Sequence, residues 1–489
     1  MEDGVDRYDV IVVGAGPAGI FAALELSRRS KLKVLLLEKG CDIGERRCPA
    51  QSTGRCVHCE PCDITCGWGG AGAFSDGKLT MSPEVGGWLG EYVQAAELES
   101  LIADVDRVWR DFGAPDVLHG DDPGAVEDWR VRARKEGLRL LYSPIRHMGT
   151  QRCGDVLKAM RDHLEERVDA MVETPVVRIL TEPDRAPDGT RAQEGDRGHE
   201  DTLASVSGAK AAGVVTADGR EFAADVVILA PGREGSAWLL QEATRLGISV
   251  TSNAVDIGVR VEVPAVITDA ITDDLYEPKL LFVSRHFEDS VRTFCFNPNG
   301  VVSKESYGDV VTVNGHSYGD GGLRTPYTNF ALLASTRFTE PFKEPIAYGK
   351  SIARLANILG DDIIVQRLGD LLAGRRTTKG RLARGVVEPT LGDVTPGDLS
   401  FALPYRHLRD ILDMLEALDR LLPGVGGRDT LLYGVEVKFY SSRPELDSDL
   451  RTRVGGLYAV GDGAGVTRGL VQASAAGLIA ARAVIRDRA

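Results

Sequence analysis

The sequence has no apolar run of membrane-spanning length, no excess of basic charge, no repeat of a solenoid period and no second GxGxxG between a strand and a helix. The first absence excludes a transmembrane helix and the third a stacked array. The charge balance, 58 Lys+Arg against 72 Asp+Glu for a formal charge of -14, argues against nucleic acid or an anionic membrane as the main partner. The opening MEDGVDRYDV lacks a basic stretch followed by an apolar one, so no secretory signal and a cytoplasmic setting are expected. A chain of 489 residues exceeds what one hydrophobic core usually fills, which predicts two domains, one inserted into the other.

Cysteine is unevenly spread. Of 8 in the chain, six (Cys41, Cys48, Cys56, Cys59, Cys62 and Cys66) crowd one short segment. In a reducing compartment such clusters bind metal or do redox chemistry more often than they form disulfides.

Along the chain, YDVIVVGAGPAGIFAALELSRRSKLKVLLLEKG (8–40) reads as strand, tight turn, helix, strand, its continuous apolar runs being those of strands buried on both faces of a parallel sheet. Apolar residues at three- and four-residue spacing around ELESLIADVDRVWRDFGAP predict helix, and another helix is expected from Thr150. The stretch Glu182–Thr202 is charged and poor in large apolar residues, an excursion rather than core. Beyond residue 250, alternating segments joined by NPNG, with a further Asn-Gly turn before HSY, predict antiparallel sheet. The fold expected is α/β: a discontinuous Rossmann-like domain (1–80, 141–250, 430–489), a mainly helical insertion (81–140) and an inserted α+β substrate domain containing antiparallel sheet (251–429).

Gly14, Gly16 and Gly19 make GxGxxG between a buried strand and a helix, and Glu38 ends the next strand 19 residues after Gly19. The physical roles differ along the motif. Gly14 makes the tight turn, Gly16 lets the backbone approach a pyrophosphate, Gly19 permits close helix packing, and Glu38 accepts from a ribose. Pro17 and Ala18 start the helix whose N–H groups face the phosphate, and Lys39 follows Glu38.

The C-terminal GGLYAVGDGAGVTRGLVQASAAGLIAA resembles the closing FAD segment of the two-dinucleotide-fold flavoprotein superfamily. The resemblance implies FAD, with Gly461 and Asp462 near the ribityl-pyrophosphate region. It also implies a helix whose N-terminus, at Leu470 and Val471, points at the flavin. ETPVVRI and VVILAPG are similar to that superfamily's adenine-contacting and returning segments, which assigns Val177 and Gly232. GWGGAGAFSDGKL (67–79), with PIRHMGT, VNGHSY, GRRTTKGRL and YGVEVKFYSSR, resembles a signature of a family of FAD-dependent dehydrogenases, NAD(P)/FAD-dependent oxidoreductases whose family name specifies no substrate. The likeness spans nearly the whole chain and carries FAD contacts onto Gly69, Gly70, Ala71, Gly72, Phe74, Ser75 and Asp76. NAD(P)H is then at most a transient donor.

The C-x2-C-x2-C-x3-C run (Cys56, Cys59, Cys62, Cys66) has the ferredoxin spacing, but Gly67 stands where those proteins carry proline. A [4Fe-4S] cluster would use Cys56, Cys59 and Cys62 with Cys48 or Cys66; structural zinc, a redox disulfide and unligated thiols are the alternatives. A cluster there would invite an electron-transfer protein as partner.

For substrate chemistry, Glu436 and Lys438 share one face of the strand-like YGVEVKFY, opposite Val435 and Val437, and are expected to face a cleft or water. His316 follows the Asn-Gly turn and has a suitable pKa for acid–base work, although an exposed turn histidine is the plainer reading. Arg468 lies in the terminal glycine turn. Arg375, Arg376, Lys379 and Arg381 form a basic knot suited to a carboxylate or phosphate, or a solvated turn. The function expected is an FAD-dependent dehydrogenase or reductase exchanging hydride between flavin N5 and a small organic substrate. A flavin monooxygenase and a non-catalytic flavin or metal redox sensor are the rivals.

Overall fold

Alternate residues of the first strand, Asp6–Val13, serve two different cores: Val10 and Val12 enter one apolar cluster, Ile11 and Val13 another. A strand covered on both faces has no polar side to show, which is why it reads as an unbroken apolar run. The computed structural model describes residues 5–49, 57, 59–182, 208–307, 309–317, 324–338, 342 and 344–488. Cys56 and nearly all of the charged stretch beginning at Glu182 lie outside them. No helix among the described residues is long and apolar enough to cross a membrane. The chain forms two units, the first from Met1–Asp116, Met148–Ser252 and Ser441–Ala489, the second from Val117–His147 and Asn253–Tyr440.

In the first unit a seven-stranded sheet carries Val34–Leu37 and then Asp169–Met171 on one side of the first strand, all parallel. On the other side lies Glu221–Leu229, also parallel, which pairs Leu457–Ala459 and is continued by the antiparallel Ala211–Thr216 and Val176–Thr181. Helices Pro17–Arg29 and Leu470–Arg488 pack on each other through small residues: a Cβ on Gly477 would stand 2.1 Å from the Ala18 carbonyl oxygen. The architecture is the discontinuous α/β one expected, although residues 430–440, expected in the first domain, fall in the second unit. The stretch 81–140 is shared out, however. Helix Ala95–Asp111 joins the first unit's core, with Trp109 5.5 Å from Phe21 ring to ring, whereas helix Pro123–Lys135 and strand Leu138–Leu141 belong to the second unit.

The second unit is built on an eight-stranded sheet that places, in order, Thr395–Pro396, Ile364–Arg367, Leu431–Lys438, Val255–Pro264, Tyr327–Thr336, Ser290–Asn297, Lys279–Val283 and Leu138–Leu141. Only its first pair is parallel. Helices Pro345–Gly360 and Tyr405–Leu421 contribute to its apolar cluster.

Three expectations are corrected here. NPNG does not close a hairpin between its flanking strands: Ser290–Asn297 pairs with the main sheet, while Val301–Tyr307 pairs with Val310–His316. Asn314-Gly315 is not a turn but lies inside that second strand, opposite Ser303 and Val302. Glycine is needed there for close approach, since a Cβ would fall 1.9 Å from Arg260 Nη2. Finally, all eight residues of Leu431–Lys438 are buried, so Glu436 and Lys438 face neither cleft nor water.

Glycines of opposite kinds test this packing. Gly477→Ala forces two helix backbones apart and should lower stability by about 1–3 kcal/mol. Gly154→Ala, in helix Thr150–Glu165 with nothing within 4 Å of its Cβ position, should raise it by about 0.5–1 kcal/mol. Opposite shifts of the urea midpoint are the expected result; two shifts of the same sign would contradict the packing described.

Candidate functional site

The three fingerprint glycines differ in what surrounds them. Gly14 has φ +104° and a Cβ there would strike the Ala230 carbonyl oxygen at 2.2 Å; one on Gly19 would meet the Gly14 carbonyl oxygen at 1.8 Å. A Cβ on Gly16 would meet nothing within 4 Å. Two glycines are therefore required by the protein's own packing, and the middle one leaves bare backbone at the mouth of helix Pro17–Arg29. That helix has Pro17 in its first turn and no side chain capping it, so its positive end is open to an anion.

The glycine loop of 69–74 lies directly over this mouth. The Gly69 amide donates to the Ala15 carbonyl at 2.8 Å, and a Cβ on Gly70 would sit 3.1 Å from Gly16 Cα. A Cβ on Gly72 would be 2.7 Å from Leu470 Cδ2 and 3.7 Å from Pro17 Cγ. The C-terminal turn closes the same cradle: Gly461 abuts Ala18, and Gly463 abuts the carbonyl of Gly232. Asp462 accepts from the Thr467 hydroxyl at 2.7 Å, and Val471 is buried in the first turn of the terminal helix. Ser75 turns the loop by donating to the Gly72 carbonyl at 2.7 Å, and Asp76 pairs with Lys78 at 3.1 Å. Ala71 is half-buried. Val177 is 47% exposed on the antiparallel edge, where its carbonyl accepts from the Trp238 indole at 3.0 Å.

Glu38 has more work than a ribose contact. Its Oε2 accepts from the Ala15 amide at 2.8 Å, and its Oε1 from the amides of Gly40 at 2.9 Å and Gly67 at 2.8 Å. A carboxylate offers about four acceptor sites, so room for one hydroxyl remains. Lys39 beside it is half-buried.

Sequence reading passed over Arg46, Gln472 and Cys153. Buried Arg46 donates to four backbone carbonyls, those of Asp63 at 2.9 Å, Ile64 at 3.0 Å, Trp68 at 2.7 Å and Gly70 at 2.8 Å, with its guanidinium 4.9 Å from the Phe74 ring centre. Burial lowers its pKa, and the charge of Glu38 opposes that. Gln472 donates to the carbonyls of Pro83 and Val85, at 3.3 and 2.9 Å, and keeps a buried Oε1 without a partner at the start of the terminal helix. The Cys153 thiol donates to the Gly72 carbonyl at 3.3 Å and is pushed up to about 12, by burial first and by Asp76 second, so it stays protonated. None of the three has a pattern of its own in the sequence: each is a single polar residue outside any motif.

The cysteine run does not assemble as a metal centre among the described residues. Cys48, Cys59 and Cys62 are half-buried; Cys66 is buried, and burial pushes its thiol up. Cys41, outside the proposed ligand sets, lies 3.7 Å from Asp63. No three His, Cys, Asp or Glu side chains converge among the described residues, and Cys56 lies outside them.

Of the four residues singled out for catalysis, Glu436 and Lys438 come together in the second unit. Fully buried Arg260 donates to Asn329 Oδ1 at 2.9 Å, to the Cys295 carbonyl at 3.2 Å and to Glu436 at 3.3 and 3.4 Å. Lys438 Nζ reaches Glu305 at 2.9 Å and Glu436 at 3.3 Å. Burial would lower the lysine pKa, but the two carboxylates outweigh it and hold Lys438 as a cation. His316 is half-buried opposite Val301. Arg468 belongs to the first unit, its amide donating to the Gly86 carbonyl at 2.6 Å.

Comparison with known proteins bears on the first unit. The chain is 26% identical over 508 aligned positions to an uncharacterized protein of Clostridium beijerinckii, covering 97% of this chain and 80% of that one. Over 50 residues, 10% of this chain and 12% of the other, it is 48% identical to digeranylgeranylglycerophospholipid reductase 1 of Methanococcoides burtonii. Among solved structures, glycine oxidase from Geobacillus kaustophilus aligns over 98% of this chain and 95% of its own at 15% identity and a TM-score of 0.37. Residues 9–59, which carry the fingerprint glycines, Glu38 and Arg46, match the model of the family described as FAD dependent oxidoreductase. That match places the segment that builds the cradle among sequences similar to FAD dependent oxidoreductases.

Proposed function

We propose that the chain exchanges hydride between the flavin and a small organic substrate, as a dehydrogenase or reductase. The bare backbone at Gly16 carries this reading: it lies at an uncapped helix mouth under a glycine loop, where any Cβ would obstruct an approaching pyrophosphate. FAD, when bound, supplies a ring nitrogen able to take or give hydride. The chain's own residues do the rest. The helix mouths at Pro17 and Leu470 favour negative charge placed before them, and Gln472 offers an unpartnered acceptor beside the second. Lys438 and Arg260, balanced by Glu436 and Glu305, hold two cations in fixed positions in the second unit. Buried and held charged, Lys438 acts through the field of this cluster rather than by touching the substrate or removing a proton.

The cysteine spacing favours a second reading, an iron–sulfur or zinc centre near the flavin. The described thiols do not fit one as they stand, and Arg46 already gathers the loop from Asp63 to Gly70. No step is routed through a metal.

Three experiments test these readings. Anaerobic mixing of FAD-loaded protein with candidate organic substrates should bleach the oxidised flavin band. Lys438→Ala and His316→Ala should keep FAD while slowing that bleaching about tenfold or more; wild-type kinetics in both would remove them from the reaction. Arg46→Ala leaves four carbonyls without their donor and should raise amide exchange across the loop and cut FAD occupancy. Arg46→Lys should not restore it, because a point charge lacks the planar fork. Iron or zinc at one equivalent in anaerobically purified wild-type protein would require a rearranged loop and revive the metal reading; their absence would end it.

A further inference from the structure

Two residues of the sequence's basic knot, Arg375 and Arg381, line a concavity in the second unit. A cavity of about 390 Å³ is lined by Arg367, Arg375, Arg381, Arg384 and Arg428, with Asp370 and Asp429. Asp370 is the peg on which it hangs. At 2% exposure it accepts from Arg375 Nε at 3.0 Å and Thr377 Oγ1 at 2.9 Å, with Arg381 Nε at 3.8 Å and Arg367 Nη1 at 4.0 Å. Arg367 also pairs with Asp429 and donates to the Arg381 carbonyl at 3.1 Å, while Arg381 donates to the Arg376 carbonyl at 2.8 Å. Those three guanidiniums are therefore positioned from within rather than waving in solvent.

The two carboxylates are consumed in this scaffold. Arg384 and Arg428 are exposed and have no side-chain hydrogen bond or ion pair among the described residues, although both line the cavity. Five guanidiniums around one hollow, with only two carboxylates, repel one another unless an anion enters, and the chain around them carries a net charge of -14. The lining contains no aromatic or aliphatic side chain, so it offers nothing to hold a nucleobase or an acyl chain. A single small oxyanion would engage only part of the rim.

We infer that this cavity is a binding site for a compact polyanion, a molecule carrying two or more adjacent phosphoryl or carboxylate groups, gripped by the forked donors of Arg384 and Arg428 against the fixed Arg367, Arg375 and Arg381. The site is independent of the flavin reading.

Calorimetric titration of the FAD-loaded full chain with inorganic pyrophosphate, and separately with citrate, at matched physiological ionic strength tests it. The flavin spectrum reports that the cofactor stays bound. At least one of the two anions should bind, with Arg384→Ala and Arg428→Ala each weakening it about tenfold and the double variant about a hundredfold. Neither arginine supports the scaffold, so the variants should fold and keep their flavin. Pyrophosphate alone binding would assign the phosphoryl class, citrate alone the polycarboxylates, and both the shared chemistry. Binding of neither, or wild-type affinity in the double variant, would overturn the inference.

Discussion

Glu38 accepts hydrogen bonds from the amides of Ala15, Gly40 and Gly67, and the rest of the first unit's site depends on that one carboxylate. Ala15 belongs to the fingerprint turn, Gly40 to the chain leaving the second strand, and Gly67 to the glycine loop, so three segments distant in sequence are set relative to one another by two oxygen atoms. Arg46 is its complement. Glu38 collects amides on one side of the loop, and Arg46 collects carbonyls on the other, from Asp63 to Gly70. Each is buried, and each makes the other's burial tolerable, since a buried charge survives where it is paired or fully hydrogen-bonded. The tryptophan between them completes the tie: buried Trp68 donates from its indole to the Leu157 carbonyl at 3.0 Å, fastening the loop to helix Thr150–Glu165.

The second unit shows the same economy with a different purpose. Arg260, Glu436 and Lys438 are almost wholly buried in adjacent strands and joined through Asn329 and Glu305. Hydrophobic residues of similar volume would pack the sheet at no greater cost in stability. What the cluster does visibly is tie three neighbouring strands together, since Arg260 reaches Glu436 on one side and Asn329 on the other.

Much of the fold was legible because the signals were periodic. The buried strands 6–13 and 34–37 declared themselves by continuous apolar runs, and helix Ala95–Asp111 by its apolar spacing. The cradle was legible because glycines at fixed offsets have few other uses. What was not legible depends on partners far away in the chain. Alternation in YGVEVKFY implied a wet face, yet Arg260, 176 residues earlier, takes Glu436 into the interior. Asn314-Gly315 implied a hairpin turn, yet the glycine is there to admit the same arginine. The hydrogen-bonding reach of Arg46 has no spacing signature at all, and so the cysteines beside it drew the attention.

The glycines separate what the protein needs for itself from what it keeps for a ligand. At Gly14, Gly19 and Gly477 a methyl group would collide with backbone oxygen inside 2.3 Å, so folding alone demands glycine at each. At Gly16 no collision arises, and φ at -77° is open to any residue. Folding would accept alanine there, and a helix N-cap would gain more from serine or aspartate. A bare Cα at that position is explained by something that approaches the backbone from outside, and a negatively charged group is what an uncapped helix mouth draws in. The middle glycine therefore argues for a bound pyrophosphate more directly than its two neighbours do, although the three are read together as one motif.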